Sequence, residues 1–199
     1  MTYFFETYGC EMNKAESASI EQLFINRKWQ KAEDAQNADI IVINTCSVRA
    51  TAETRIHGRL GWYSSLRKLR GNDFTLVVTG CMAERLKNEL KNQFPVVDYV
   101  VGTFQKQHFQ DIIDALEQNR PLVKIDEEPV YKFAPLSYEE GEFRAFVPIM
   151  HGCNNFCTYC IVPYVRGREV SRNPEEILEE LTQLSKRKVK EVTLLGQNV

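Results

Sequence analysis

Two short stretches, Asp39-Ile40-Ile41-Val42-Ile43-Asn44 and Phe74-Thr75-Leu76-Val77-Val78-Thr79, are almost unbroken runs of β-branched or apolar residues. A strand with one wet face alternates apolar and polar residues. Runs without alternation require burial on both faces, the condition of a central strand in a parallel sheet covered by helices. Tyr3 to Tyr8 and Val96 to Val101 read as two further strands. Between the strands lie stretches of helical period. From Asn13 onward Ile20, Leu23 and Phe24 share a face; Ala52, Ile56, Leu60 and Tyr63 recur at helical spacing; Phe109, Ile112, Ile113 and Leu116 follow the i, i+3, i+4, i+7 template. The alternation predicts an α/β domain with a parallel sheet over residues 1–118.

Residues 119–141 carry Arg120-Pro121, Glu128-Pro129 and Glu139-Glu140-Gly141 without a sustained period, and read as a linker. Over 142–199 a second unit begins: a strand from Arg144 to Met150, a cysteine-rich loop, a helix opened by Asn173-Pro174-Glu175-Glu176, and a strand from Glu191 to Leu195. Asn173 suits the N-cap, Pro174 the first helical position, and Glu176 the reciprocal half of a capping box. The chain reaches Val199 before a sheet or barrel closes, so this unit is expected to be incomplete. With 25 Lys+Arg against 27 Asp+Glu, a net charge of −2 and 43% hydrophobic residues, disordered and low-complexity classes are excluded. No apolar run approaches the roughly 20 residues that span a bilayer, and Met1 to Glu6 lacks the basic segment of a signal peptide. A cytoplasmic, non-membrane protein is expected, in which six cysteines serve as metal ligands or reactive thiols rather than disulfides.

Cys153, Cys157 and Cys160 form a C-x3-C-x2-C run directly after a strand. Three thiolates so close together can wrap one side of a metal centre. On a four-iron cubane they leave one iron free for a ligand that is not protein, such as the amino and carboxylate groups of S-adenosylmethionine. Zinc is the competing reading, because His151 would complete a Cys3His set. The other cysteines stand at equivalent places, each between a strand and a helix: Gly9-Cys10, Thr45-Cys46 and Gly80-Cys81. Strand-to-helix turns of a parallel sheet emerge on one edge, where open α/β sheets bind their ligands, so these thiols converge if their strands are neighbours. Helix N-termini there favour an anionic group. Three separate small buried cysteines are the plain alternative.

Four motifs in order resemble the radical S-adenosylmethionine methylthiotransferases: Thr7-Tyr8-Gly9-Cys10-Glu11-Met12-Asn13; Asn44-Thr45-Cys46-Ser47-Val48-Arg49; Gly80-Cys81-Met82-Ala83-Glu84-Arg85; and Gly152-Cys153 through Cys160-Ile161-Val162-Pro163-Tyr164-Val165-Arg166-Gly167-Arg168-Glu169. The look is that of the MiaB type, the tRNA 2-methylthio-isopentenyladenosine synthases. The resemblance implies a flavodoxin-like N-terminal domain holding an auxiliary 4Fe–4S cluster on Cys10, Cys46 and Cys81, followed by the first part of a radical SAM (β/α) partial barrel holding a second on Cys153, Cys157 and Cys160. It implies radical cleavage of S-adenosylmethionine, hydrogen removal from C2 of an isopentenylated adenosine beside the anticodon of a tRNA, sulfur insertion through the auxiliary cluster and methylation by a second S-adenosylmethionine. An electron donor such as flavodoxin, the anticodon stem-loop as partner and a monomeric state are further expectations. The family continues beyond this length into the remaining barrel and an RNA-binding domain, so the chain alone is expected to be an inactive fragment.

By the same resemblance Tyr159 lies beside the cofactor adenine, and Gln197 and Asn198 bind cofactor at the carboxyl end of the last strand. Arg166 and Arg168 hold a carboxylate or phosphate, or else belong to a solvated loop. Glu11 and His151 stand where the MiaB type commonly has Gln. Arg49, Arg55, Arg59, Arg67, Lys68 and Arg70 on one helix, and Lys186-Arg187-Lys188 with Lys190, are candidate phosphate contacts or solvated faces. Two other activities remain open: a sister methylthiotransferase acting on a ribosomal protein or threonylcarbamoyladenosine tRNA, and a non-catalytic zinc-binding nucleic-acid module.

Overall fold

A computed structural model describes residues 1–47, 50–121, 124–125, 131–133 and 143–199. The chain begins β1 (Thr2–Tyr8), α1 (Glu11–Asn26), β2 (Gln30–Lys31), β3 (Ile40–Thr45), α2 (Ala50–Arg70) and β4 (Thr75–Gly80). It continues through α3 (Cys81–Leu86), α4 (Asn88–Gln93), β5 (Tyr99–Val101) and α5 (His108–Glu117). The five strands form one parallel sheet in the order β2-β1-β3-β4-β5, the doubly wound flavodoxin-like order.

Every residue of β3 and β4 is buried. On one face Ile41, Ile43, Leu76 and Val78 pack with Ile56, Leu60 and Tyr63 of α2. On the other, Ile40, Val42 and Val77 pack with Ile20 and Phe24 of α1 and with Phe109, Ile112 and Ile113 of α5. The unbroken apolar runs are thus satisfied from both sides. The side chain of Ala52 lies outside the described residues.

Two differences from the expected strands have local causes. β5 begins at Tyr99 rather than Val96, because Phe94 to Val97 turn back, with the Val97 N–H bonded to the Phe94 carbonyl at 3.0 Å. β2 is a pair of exposed residues at the sheet edge and has no apolar pattern to betray it.

The second half contains β6 (Arg144–Pro148), β7 (Met150–His151), α6 (Val162–Val165), β8 (Val170–Ser171), α7 (Pro174–Lys186) and β9 (Glu191–Leu195). β6 pairs in parallel with β9, and α7 closes one side through Ala145, Val147 and Leu184. The single strand expected from Arg144 to Met150 divides, because Met150 and His151 pair instead with Ser171 and Val170 in antiparallel fashion. Asn173 caps α7 by accepting from the Glu175 N–H at 2.9 Å. Glu176 does not complete a capping box and lies 3.6 Å from Arg172. Most of the stretch read as a linker, residues 122–123, 126–130 and 134–141, lies outside the described residues, as does Arg49. No helix among the described residues is long and apolar enough to cross a membrane.

Candidate metal centre

The first thiol row follows from register. β1, β3 and β4 are neighbours, with Thr45 opposite both Tyr8 and Gly80, so Cys10, Cys46 and Cys81 leave one sheet edge within a residue or two of the same level. Parallel strands stand about 4.8 Å apart, so three neighbours carry the row across about 10 Å. Cys10 is the N-cap of α1 and Cys81 the first residue of α3. Cys46 and Cys81 are buried while Cys10 is exposed. Gly80 makes the β4 end possible: its φ of 94° is left-handed, and a Cβ there would overlap the Thr45 carbonyl oxygen and the Asn44 side chain.

A buried amide network ties this row together. Asn13 Nδ2 donates to Asn44 Oδ1 at 2.9 Å and to the Thr45 carbonyl at 3.1 Å. Asn44 Nδ2 donates to the Asn13 carbonyl at 2.9 Å and to Ser17 Oγ at 3.0 Å. The Oδ1 of Asn13 accepts from the Cys10 backbone N–H at 3.2 Å. A hydrogen bond from Cys46, with backbone donors at Asn13 and Met12 and the positive field of Arg166, pulls the Cys10 thiol down to about 5 against the cost of its desolvation. Burial pushes Cys81 up, opposed by the adjacent Arg166 guanidinium. A thiolate is the metal-ligating form of cysteine.

The second triad hangs from the loop after β7. Gly152, at φ 80°, packs so closely on the Arg168 carbonyl that a Cβ would overlap it. The Cys153 N–H reaches the Gly167 carbonyl at 3.2 Å, and the Cys160 N–H closes a turn on the Cys157 carbonyl at 2.9 Å. Cys153 is buried, Cys160 half-buried and Cys157 exposed. Gln197 comes to this loop: its Oε1 accepts from the Gly152 N–H at 2.7 Å. Asn198 Nδ2 donates to Glu169 Oε2 at 3.2 Å. Tyr159 is 90% exposed, its ring turned to solvent.

Arg166, expected at a cofactor or in a solvated loop, is neither in solvent nor free for an added anion. It is 3% exposed, and its Nη1 donates to Glu16 Oε1 of α1 at 2.9 Å and approaches His151 Nδ1 at 3.4 Å. Glu16 also receives Lys106 Nζ at 2.6 Å. Burial alone would raise the Glu16 carboxyl, but the two cations outweigh it and hold the group at about 2. His151 is fully buried, its ring stacked on Tyr131 with centroids 3.4 Å apart and planes 5° apart. Burial and the neighbouring cations keep it neutral, and its Nε2 has no hydrogen-bond partner among the described residues. His151 therefore faces this ion cluster rather than completing a Cys3His set. Among the described residues no three His, Cys, Asp or Glu side chains converge as a single metal ion requires.

The basic helix is less uniform than its sequence. Arg59 pairs with Glu6, Arg67 with Asp98 at 2.6 Å, and Arg70 donates to the Ala38 carbonyl at 3.1 Å, leaving Arg55 and Lys68 on the exposed face. Lys186, Arg187, Lys188 and Lys190 are exposed. Glu16, Asn13 and Asn44 were not singled out by sequence reasoning. Asn44 could have been found as an amide closing an otherwise apolar strand beside Cys46, and Asn13 from its place three residues after Cys10; Glu16, in a mostly polar stretch, carries no such sign.

Residues 2–102 match the family described as "Uncharacterized protein family UPF0004", and residues 147–199 match the radical SAM superfamily. Among curated relatives, a tRNA-2-methylthio-N(6)-dimethylallyladenosine synthase of Treponema pallidum (strain Nichols) is 56% identical over 212 residues, covering 100% of this chain and 46% of that protein. The synthase of the same name from Dictyoglomus thermophilum is 44% identical, covering 99% of this chain and 45% of the relative. The chain thus spans just under half the length of these relatives. A solved structure of the radical S-adenosylmethionine methyltransferase TsrM from Kitasatospora setae, with cobalamin and a 4Fe–4S cluster bound, superposes with a TM-score of 0.65. It covers 97% of this chain and 48% of that one at 12% identity, a likeness of fold alone.

Proposed function

The chain belongs to uncharacterized protein family UPF0004 over residues 2–102, and from that premise we propose that it carries the two cluster sites of a radical SAM tRNA methylthiotransferase. In this reading Cys10, Cys46 and Cys81 hold an auxiliary 4Fe–4S cluster, and Cys153, Cys157 and Cys160 hold the cluster that receives S-adenosylmethionine. The substrate is a tRNA carrying an isopentenylated adenosine beside its anticodon, methylthiolated at C2. The electron comes from a donor of the flavodoxin kind. The observation that supports this best is the register of β1, β3 and β4, which delivers three cysteines of distant sequence to one sheet edge beside helix N-termini. The donor chemistry fits: three thiols, one of them already drawn toward the thiolate, at a site with buried amide support.

When bound, a reduced cluster with an open iron supplies the electron that cleaves S-adenosylmethionine, and the auxiliary cluster supplies the route for sulfur. The chain's own residues hold and orient. Asn13 fixes the Cys10 turn against β3 through Asn44 and Thr45. Gln197 pins the Gly152 N–H, and with it the approach to Cys153, from the end of β9. Asn198 steadies Glu169 on the far side of that loop. Tyr159, open to solvent, has a ring face free to stack on an adenine. Arg55, Lys68 and the exposed cations after α7 offer phosphate contacts.

Iron and acid-labile sulfide per chain after anaerobic reconstitution test this directly. Two three-cysteine sites predict about eight irons, falling to about four when Cys10, Cys46 and Cys81 are replaced by Ala, and to about four when Cys153, Cys157 and Cys160 are replaced. Stoichiometric zinc without sulfide overturns the reading.

A further inference from the structure

We propose, on the reading that each cysteine triad holds a 4Fe–4S cluster, that Glu16 is a positioning residue: by gripping Arg166 it fixes the separation of the two cluster sites. Glu16 lies on α1, the helix that Cys10 caps. Arg166 lies six residues after Cys160 and next to Gly167, whose carbonyl accepts the Cys153 N–H at 3.2 Å. The pair therefore runs from an element bearing one triad to the loop bearing the other. Arg166 Nη1 donates to Glu16 Oε1 at 2.9 Å and Nη2 lies 3.5 Å from Oε2, a two-point contact that sets direction as well as distance. Lys106 Nζ stands 2.6 Å from the same Oε1, and Glu16 and Arg166 are each 3% exposed. A second polar tie accompanies the first. The buried Thr103 donates its N–H to Glu84 Oε2 of α3 at 2.9 Å and its Oγ1–H to the carbonyl of Val165, the last residue of α6, at 2.7 Å. α3 packs on α6. Cys81 opens the first of these short helices and Cys160 stands two residues before the second.

The chemistry makes this separation matter. In the proposed reaction one site removes hydrogen from a carbon that then receives sulfur through the other, so one substrate atom has to be within reach of both. Reacting atoms must come within about 3–3.5 Å, and a misplacement of about 1 Å costs on the order of 10²-fold in rate. Sites carried by different halves of a chain meet that tolerance only if the halves are fixed to each other. A buried carboxylate gripped by two cations has few alternative arrangements, because displacing it strands charge in low dielectric. Glu16 acts on the geometry through Arg166 and on neither cluster directly.

The test reads the magnetic interaction between the two clusters, which falls steeply with their separation. The chain is loaded on both triads and chemically reduced. Its electron paramagnetic resonance spectrum is compared with the sum of the spectra of two variants, one with Cys10, Cys46 and Cys81 and the other with Cys153, Cys157 and Cys160 replaced by Ala. Wild type is expected to show splitting or broadening beyond that sum. Glu16→Ala and Arg166→Ala, at full iron and sulfide content, are expected to lose it. Glu16→Gln, which keeps an acceptor oxygen but not the charge, is expected to lose part of it. Ile41→Ala, a core truncation on the sheet face opposite α1, is expected to keep it, which separates positioning from a general loss of stability. A wild-type spectrum equal to the sum overturns the proposal, as does an interaction retained in both Glu16→Ala and Arg166→Ala, or one lost in Ile41→Ala as well. If both alanine variants fail to fold, Glu16→Gln decides: a weakened interaction sustains the proposal and an unchanged one overturns it. A parent chain that takes up no iron and sulfide defeats the cluster reading itself, an outcome distinct from two loaded clusters whose interaction ignores Glu16.

Discussion

Asn13 satisfies four partners at once: the Cys10 backbone and thiol through Oδ1, and Asn44 and Thr45 through Nδ2. Asn13→Ala leaves the Asn44 amide and the Thr45 carbonyl short of a buried partner, which costs about 1–3 kcal/mol. A chemical denaturation midpoint reads this loss, and iron uptake by the first triad is expected to fall with it. Glu16 makes a sharper, pH-dependent prediction. Its carboxyl is held at about 2 against an ordinary value of 4.5, so its contribution to stability is complete above pH 4.5 and disappears as pH falls toward 2. The stability gap between wild type and Glu16→Gln should therefore stay flat from pH 8 to pH 5 and close below 4.5 in thermal melts of the metal-free chain. At neutral pH that gap should be about 3–5 kcal/mol, because two buried cations lose their counter-charge.

At the level of elements, β3 and β4 carry the sheet, and a truncation such as Ile41→Ala should cost about 2–5 kcal/mol in a denaturant titration. Gly80→Ala should also destabilise, and should displace Cys81 in particular, because the close approach of β4 to the Thr45 carbonyl leaves no room for a methyl group. The parallel sheet covered on both faces was legible because such burial writes itself as an unbroken apolar run, and α1, α2 and α5 because one apolar stripe recurs with helical period, whereas the strand order was implied only by the family resemblance. β2 was not legible, since two exposed residues at an edge need only backbone pairing. Met150 read as the end of β6 and His151 as the start of the loop, and nothing in an apolar pattern tells which partner a strand end will choose. That Cys10, Cys46 and Cys81 leave the same edge of the sheet was readable from their equivalent places between strand and helix. Arg166 was legible as a holder of a carboxylate, but its partner Glu16 was not, since 150 residues of separation leave no local sign.

Across the whole molecule the two halves meet, among the described residues, at buried polar contacts: Arg166 on Glu16 and Thr103 on Val165, with Lys106 of the first half backing Glu16 and Tyr131 of the intervening stretch stacked against His151. Such contacts are specific and intolerant, since removing one partner strands the others in low dielectric. Glu16→Ala is expected to split a single unfolding transition into two, detectable by following tryptophan emission beside far-ultraviolet circular dichroism, because Trp29 and Trp62 both lie in the first half. Raising the salt concentration should leave the wild-type transition single, as buried pairs are little screened. The β6–β9 pair has a different consequence. Val192 and Leu194 of β9 are 38% and 47% exposed, on a two-stranded ladder. Such a strand is a template: in solution it should recruit a further strand from any neighbour able to supply one, so the chain's light scattering should climb steeply with concentration and fall when a charge is placed on the ladder, as in Leu194→Lys.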